Sequence, residues 1–314
     1  MEENRKRHEI INAPYNPVTG LGAVGERKKI SIKDSPIGDM YLPVELIKEN
    51  LFIRRLAKYG FKGYIIRFIK EVEYSEEALN QLWIEFIKYR IIYDFEYWAY
   101  SFIFIKDKVS PKDIPFKLNR AQRRVLNKLE KLRKAGKPIK FILLKARQWG
   151  GSTLVQIYML WIMLVHRRNW NTVICGDVET QSRNVRAMIT KALNKYPSYL
   201  LGETVKFTPF EGSSKNKVIQ NTNCVVSIGS FQKPDTLRSG DISGAHLTEI
   251  GLWRATPGKK PEDLIQSISG SIYDTAYTIL GLESTAKGVG NFFHRTWQQA
   301  VKGKNNLLPI FLAW

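Results

Sequence analysis

The segment from Lys140 to Thr153 constrains the fold of this chain more than any other. Its sequence, KFILLKARQWGGST, starts with an apolar run, continues through small and polar residues, and leads into the strongly apolar stretch Leu154 to Val165. This pattern predicts a buried strand, a tight loop and a buried helix. A strand that passes through a short loop into a helix is the repeating unit of α/β folds with a mainly parallel sheet.

The loop in this segment matches the spacing of a phosphate-binding loop, with two departures. The usual pattern is GxxxxGK[ST], in which backbone N–H groups and the lysine hold phosphates and the hydroxyl holds Mg²⁺. With Ser152 as the hydroxyl, Gly150 matches the second glycine, but Gly151 replaces the lysine and Lys145 replaces the first glycine. The alternative is an ordinary turn that caps the following helix. The motif alone leaves both interpretations open.

A second apolar run, residues 245–249 (AHLTE), ends in a carboxylate. At the end of a parallel strand, Glu249 is predicted to face the same edge of the sheet as the loop. A glutamate there can position and deprotonate an attacking water. The preceding residue is Thr248, where most nucleotide hydrolases have aspartate, and its hydroxyl can still order a metal-bound water. The alternative is a strand-end glutamate that contacts only solvent.

A third apolar run, within residues 277–293, ends in Glu283, Ser284 and Thr285, and a glycine-bearing loop follows. Because the carboxyl ends of parallel strands meet at one edge, these polar residues are predicted to lie near Glu249 and the loop. Polar groups beside a nucleotide can sense whether its terminal phosphate is present. The third run therefore adds a candidate sensor to the predicted site.

Three motifs thus occur in a fixed order: KARQWGGST, HLTEIGLW and ESTAKGVGNFF. Together they resemble the large terminase subunit of tailed bacteriophages, over roughly residues 95–314. The resemblance implies a P-loop ATPase that moves double-stranded DNA into a procapsid in the host cytoplasm. It also implies a ring of subunits, with the portal protein and the small terminase subunit as partners.

In that family a nuclease of ribonuclease H-like fold follows the ATPase and cuts concatemeric DNA. Residues 308–314, LPIFLAW, resemble the segment that leads into the nuclease. We therefore expect the nuclease to lie outside this chain, and no paired Asp/Glu arrangement within it replaces that activity convincingly.

The resemblance also implies roles for individual residues. Glu249 would activate the attacking water, Arg147 would bridge phosphates, and Arg238 would act on the ATP of a neighbouring subunit. Gln122, in a segment similar to the family's adenine-recognition sequence, would pair with the base, although a glutamine at a helix start is usually just solvated. Mg²⁺ would be held by Ser152 and, through water, by Thr248. The remaining nucleotide contacts would come from Lys145, Ala146, Gln148, Trp149, Gly150, Gly151, Ser152, Thr153, Ser284 and Thr285.

The formal charge of the chain is +20, from 49 Lys and Arg against 29 Asp and Glu. Such an excess favours a polyanionic partner such as DNA, whose phosphates these cations neutralise with release of counterions. The densest basic stretch is residues 117–147, although for any single lysine a solvated helix face is the simpler explanation. No base-reading motif is present, so binding is expected to be through the DNA backbone and independent of sequence.

The chain divides by pattern into three parts. Residues 1–40 are polar, lack sustained periodicity and are predicted to form an arm or a loosely packed lead-in. Residues 41–112 are predicted to be a helical lead-in, and residues 113–314 a P-loop ATPase domain of alternating strands and helices. Within the last part we expect a helix at about 121–135 and a hairpin that turns at 221–223.

Composition and sequence pattern argue against several other features, namely disulfides, zinc sites, a signal peptide and a membrane span. The two cysteines, Cys175 and Cys224, indicate neither a disulfide framework nor a cysteine-based zinc site. The N-terminus lacks the apolar core of a signal peptide, and the longest apolar stretch is shorter than the roughly 20 residues of a membrane span. None of the four histidines has a spacing partner that suggests a zinc site or an acid–base pair.

Two other functions fit the same motifs. One is a helicase or remodelling ATPase that shares the core, which strand separation would distinguish from duplex translocation. The other is a non-catalytic DNA-binding or assembly protein, in which Gly151 and Thr248 would mark an inactive nucleotide site. The presence of Glu249 and Lys145 argues against the second.

Overall fold

The computed structural model describes residues 14–69, 75–107, 109–233, 237 and 241–312. It divides into two compact units, the first formed by Met1–Arg123 with Tyr196–Thr204 and the second by Arg124–Lys195 with Val205–Trp314. In the described part of the chain, no helix is long and apolar enough to cross a membrane.

The described residues form twelve strands and ten α-helices, and strands and helices alternate through the second half of the chain. The strands are β1 Arg27–Ser31, β2 Asp39–Pro43, β3 Phe104–Lys106, β4 Asp113–Pro115, β5 Ile139–Lys145, β6 Thr172–Gly176, β7 Phe207–Phe210, β8 Ser213–Ile219, β9 Cys224–Ser230, β10 Gly244–Thr248, β11 Ile279–Ser284 and β12 Leu308–Leu312. The helices are α1 Val44–Glu49, α2 Leu51–Phe68, α3 Glu76–Tyr93, α4 Phe95–Phe102, α5 Arg120–Lys134, α6 Gly151–Trp161, α7 Glu179–Asn194, α8 Ser198–Leu201, α9 Pro261–Gly270 and α10 Phe292–Val301.

The first unit is mainly helical, and it also contains a hairpin that the sequence did not predict. Strand β1 pairs with β2 in antiparallel register, so that Ile30 lies opposite Met40. Both side chains are buried, Ile30 between exposed neighbours and Met40 two residues before the buried Leu42. Part of the segment predicted to be a loose arm is therefore a strand, whose single buried apolar residue packs on the same face as the buried residues of β2.

Helix α3 begins at a side-chain cap. The Ser75 hydroxyl accepts a hydrogen bond from the Ala78 backbone N–H at 3.1 Å, which satisfies a donor of the first turn. Glu76 and Glu77 follow in that turn, where negative charge interacts favourably with the helix dipole. Further along the helix, the side chain of Phe86 is fully buried. The cap and the apolar face thus specify the helix together.

The second unit is built on an eight-stranded sheet of order β12-β5-β11-β10-β6-β9-β8-β7. The first six strands run parallel, and β8 and β7 extend the sheet in antiparallel fashion. The hairpin between β8 and β9 turns at residues 220–223, close to the predicted position. Strand β12 comes from the segment that resembles the lead-in to a nuclease, and it forms the edge of this sheet.

Helix α6 explains the longest apolar stretch of the chain. It is buried on nearly all sides, and a short π-helix, Ile162–His166, continues it. A helix that is apolar all round is stable in water only when it is enclosed, here in the second unit. Since α6 starts directly after the loop that follows β5, its burial fixes the position of that loop against the sheet.

Candidate functional site

The loop between β5 and α6 has a backbone that depends on glycine. Gly150, which precedes α6, lies in the left-handed region with φ 81° and ψ 28°, a conformation that glycine adopts without steric cost. The ring of Trp149 packs against Gly151, where an added Cβ would lie 2.7 Å from a ring carbon. A lysine at position 151 would therefore require Trp149 to move. The cation nearest to the start of the loop is instead at the end of β5.

This cation is Lys145, the last residue of β5. Its Nζ lies 3.2 Å from Glu249 Oε1 and 3.0 Å from Glu283 Oε1, and the residue is 8% exposed. Burial alone would lower the pKa of Lys145, but the negative charges of Glu283 and Glu249 outweigh burial and raise it. The ammonium group is therefore positively charged between two carboxylates.

Glu249 follows β10 directly and has a strained backbone. Its φ of 58° and ψ of 35° lie in the left-handed region, which costs a residue other than glycine on the order of 1–3 kcal/mol. Besides Lys145, its carboxylate accepts a hydrogen bond from the Thr285 hydroxyl, with Oγ1 and Oε2 3.4 Å apart. Glu249 thus contacts both the end of β5 and the residue after β11.

Ser284 connects the second and third motifs through the backbone. Its hydroxyl accepts a hydrogen bond from the Gly251 N–H at 2.9 Å and donates one to the Thr285 carbonyl at 2.9 Å. An added Cβ on Gly251 would lie 2.8 Å from Ser284 Oγ, so the two segments are in close contact. A displacement of either segment therefore affects the other, and with it the position of Glu249.

Sequence reasoning placed Glu283 at this edge of the sheet but gave it no role in the site. It is fully buried, and its carboxylate accepts hydrogen bonds from Ser152 Oγ at 2.5 Å and from His246 Nε2 at 2.9 Å. Burial would raise the pKa of Glu283, but these hydrogen bonds and the charge of Lys145 outweigh burial and lower it to about 2. The signal available in the sequence was its place in the third motif, directly before Ser284.

Oxygen atoms suited to Mg²⁺ cluster beside the loop. Ser152 Oγ lies 3.5 Å from Thr248 Oγ1 and is also hydrogen-bonded to Glu283. Hydroxyl and carboxylate oxygens are ligands that Mg²⁺ accepts, usually together with phosphate and water oxygens. Among the described residues, no group of three or more His, Cys, Asp or Glu could hold a metal by itself. The residues present therefore fit an ion that arrives with a phosphate ligand.

A pocket of about 480 Å³ opens beside the same edge of the sheet. Its lining includes Lys145, Arg147, Thr285, Lys287 and Phe311, so that cationic groups and one aromatic ring face the same space. Such a combination suits an anion that carries an apolar or aromatic part.

The other predicted site residues have different environments. The Ala146 N–H donates to the Leu312 carbonyl at 3.3 Å, Gln148 has a φ of 65°, and Thr153 is partly buried in the first turn of α6. Gln122 belongs to the first compact unit. Arg238 lies outside the described residues.

Gln122 takes part in a helix cap at the start of α5. Its Oε1 accepts a hydrogen bond from the Asn119 N–H at 2.8 Å, and Asn119 Oδ1 accepts one from the Gln122 N–H at 2.9 Å. This reciprocal pair is a capping box, which stabilises a helix start. The structure therefore gives Gln122 a structural role that the sequence analysis did not include.

Comparison with known proteins identifies the fold. No protein-family model matches the sequence, and no curated protein matches it. Among solved structures, the large terminase of bacteriophage HK97 matches with a TM-score of 0.55 and 20% identity, over 72% of this chain and 43% of that one. Over the matched residues, this chain has the fold of a large terminase. The α/β fold predicted from the three motifs is thereby confirmed.

Two further matches have TM-scores below 0.5, so the fold assignment rests on the HK97 terminase. A large terminase from a thermophilic bacteriophage, in complex with ADP, matches with a TM-score of 0.43 and 12% identity, over 62% of this chain and 45% of that one. Dbp5 of S. cerevisiae, bound to Gle1 and IP6, matches with a TM-score of 0.42 and 17% identity, over 63% of this chain and 47% of that one. The chain spans less than half of the length of either terminase.

Proposed function

We propose that this chain is the ATP-hydrolysing motor of a viral genome-packaging machine. The observation that carries the proposal is the contact among the three motifs, in which Lys145 and Thr285 both touch the carboxylate of Glu249. A phosphate-binding loop, a candidate base and a candidate sensor thus meet at the carboxyl edge of one parallel sheet, where α/β proteins bind ligands. The terminase fold is consistent with this assignment.

The proposed chemistry is the attack of water on the terminal phosphate of ATP. Glu249 lies beside the loop and orients the water and accepts its proton. Lys145 and Arg147 bind the phosphates and stabilise the charge that develops during transfer. Bound Mg²⁺, held by Ser152 and through water by Thr248, would neutralise phosphate charge. Thr285, hydrogen-bonded to Glu249, then links the state of the site to the rest of the unit.

The remaining parts of the proposal concern the assembly. Double-stranded DNA is the polymer moved, a ring of subunits moves it, and the portal protein and small terminase subunit are the other partners. The supporting observation in this chain is its charge of +20, since a basic surface binds the DNA backbone without sequence preference. Arg238 and Gln122 keep the roles that the family resemblance implies, as proposals. The nuclease that follows the ATPase in that family is not proposed for these residues.

The experiment that tests this proposal is Mg²⁺-dependent ATP hydrolysis, measured per subunit over a range of protein concentrations. We expect hydrolysis whose rate per subunit rises with concentration, because an arginine from a neighbouring subunit completes the site. A constant rate per subunit would contradict the shared site. The absence of both nucleotide binding and hydrolysis at every concentration would contradict the ATPase itself.

Activity on DNA separates packaging from the helicase alternative. A translocating enzyme displaces a third strand from a triplex while leaving the duplex paired, whereas a helicase separates the two strands of the duplex. We expect displacement without strand separation. Separation of the duplex would favour the helicase alternative over packaging.

A further inference from the structure

The register of β10 and β11 brings a carboxylate to a position beside Thr248. The two strands run parallel, and Thr248 is the register partner of Glu283. Most nucleotide hydrolases have an acid at the position of Thr248, where this chain has a neutral hydroxyl. Neighbouring residues on adjacent parallel strands lie side by side on the same face of the sheet. The negative charge absent at Thr248 is therefore present one strand away.

Distances to the loop favour Glu283 over Thr248. Ser152 Oγ lies 2.5 Å from Glu283 Oε1 and 3.5 Å from Thr248 Oγ1. The shorter contact is a charge-assisted hydrogen bond, which is stronger than one between two neutral hydroxyls. A carboxylate also stabilises a divalent cation more than a hydroxyl does. Glu283 thus has both the better geometry and the better chemistry for this position.

The orientation of Glu283 is fixed from the other side by His246. Glu283 Oε2 accepts the hydrogen bond from His246 Nε2 at 2.9 Å, and both residues are fully buried. His246 lies two residues before Thr248 on β10, so the two side chains share a face of the sheet. Partners of this kind orient the groups that bind a metal, and their loss typically weakens metal affinity by about 10- to 100-fold.

We infer that Glu283, and not Thr248, supplies the acidic group of the Mg²⁺ site in this chain. Glu283 orients the Ser152 hydroxyl and would supply negative charge to the bound ion, while His246 holds its carboxylate in place. Lys145 balances the charge of Glu283 through its contact at 3.0 Å. This inference rests on the proposed ATPase function. It assigns the acidic group of the Mg²⁺ site to β11, whereas most nucleotide hydrolases have that acid on the strand that corresponds to β10.

The test is the affinity for a fluorescent ATP analogue with and without Mg²⁺, which requires no turnover. We expect Mg²⁺ to strengthen binding to the natural chain, and we expect Glu283→Gln to reduce that gain by roughly tenfold or more. Thr248→Asp added to Glu283→Gln should restore much of the gain, because it returns an acid to the neighbouring strand. Glu262→Gln is the matched control, since Glu262 is an exposed glutamate of the same unit.

The outcomes separate this inference from the proposed function. A natural chain that fails to bind the analogue contradicts the ATPase proposal. A natural chain with Mg²⁺-strengthened binding that Glu283→Gln leaves unchanged overturns the inference. Circular dichroism checks folding, and if Glu283→Gln does not fold, Glu283→Asp replaces it, because a shortened side chain keeps the charge but withdraws from Ser152. An unchanged Mg²⁺ effect in Glu283→Asp also overturns the inference.

A second and independent observation concerns a basic groove in the same unit. The groove lies between α7 and β8 and has a volume of about 620 Å³. Arg186, Lys191, Lys195 and Lys217 line it, together with Ala187, Thr190 and Asn194. Its described lining therefore contributes four cations and no carboxylate.

The geometry points to the groove between α7 and β8 as a surface that contacts the phosphates of double-stranded DNA. A row of cations along a groove neutralises successive phosphates and requires no base contact, as expected for binding that is independent of sequence. This inference also rests on the proposed function, since DNA is the substrate of the proposed motor. It places the DNA backbone along the groove between α7 and β8 of the second unit.

Charge reversal tests the groove directly. We expect Lys191→Glu with Lys217→Glu to weaken binding of a blunt-ended DNA duplex at least tenfold and to reduce the salt dependence by about one unit of slope per lost phosphate contact. Lys128→Glu with Lys131→Glu is the matched control, because both lysines are exposed on α5 within the 117–147 stretch. Equal effects of the two pairs would overturn the inference. Failure of the natural chain to bind the duplex would instead contradict DNA as its substrate.

Discussion

Replacing Glu249 with glutamine should abolish turnover and leave nucleotide binding nearly intact. A glutamine side chain fills the same space beside Lys145 and Thr285, but it cannot accept the proton of the attacking water. General bases contribute about 10²- to 10⁴-fold to rate, so we expect a loss of that size in ATP hydrolysis. The measurement is steady-state hydrolysis together with the affinity for the fluorescent ATP analogue.

The control for this variant is Glu262→Gln, which makes the same chemical change at an exposed glutamate paired with Arg295. It should hydrolyse ATP like the natural chain. Hydrolysis by Glu249→Gln at the natural rate would exclude Glu249 as the base. Loss of both binding and hydrolysis would assign Glu249 to nucleotide binding instead, through its contact with Lys145.

The strained backbone at Glu249 supports the expected effect. A residue with φ 58° at the end of a strand is held there by its surroundings at a cost in free energy, and such positions are frequent at functional sites. The contacts with Lys145 and Thr285 contribute to holding it. Because Glu249→Gln removes the ion pair but retains the hydrogen-bonding capacity, it changes the chemistry of this position with little change in its shape.

Much of this site can be predicted from local sequence, because the order of apolar runs and turn residues indicates where each strand, loop and helix lies. The run before Lys145 and the glycines after it predict strand, loop and helix, and the ends of β10 and β11 follow the same rule. Parallel strands then bring these ends together without further information. The hairpin near 221–223 likewise follows from two short apolar runs with a polar turn between them.

The parts that the sequence did not predict depend on register and tertiary contact. Glu283 and His246 are 37 positions apart in the chain, and only the pairing of β10 with β11 shows that they touch. The residues of β12 were interpreted only as a connection to a nuclease, and not as a strand of this sheet. A short apolar run of this kind is compatible with either an edge strand or a connecting segment. Strand β1 was missed for the same reason, because its apolar residues are few and its neighbours are charged.

Replacing Lys145 with alanine should weaken both nucleotide binding and hydrolysis. The loss of one charge-assisted contact to phosphate corresponds to about 1.5–3 kcal/mol, or roughly 10- to 160-fold in affinity. The variant also leaves the carboxylates of Glu249 and Glu283 without their shared cation. Removing one partner of a buried ion pair typically costs about 3–5 kcal/mol, although Ser152 and His246 still donate hydrogen bonds to Glu283 and reduce that cost here.

Thermal unfolding of Lys145→Ala separates the loss of stability from the loss of binding. The matched control is Lys140→Ala, at the opposite end of the same strand, where the lysine pairs with the exposed Asp274. This control should keep natural affinity and turnover, because Lys140 is remote from the carboxyl edge of β5. Full turnover by a folded Lys145→Ala variant would contradict the hypothesis that Lys145 takes the place of the usual loop lysine. Arg147 would then be the principal cation that binds phosphate.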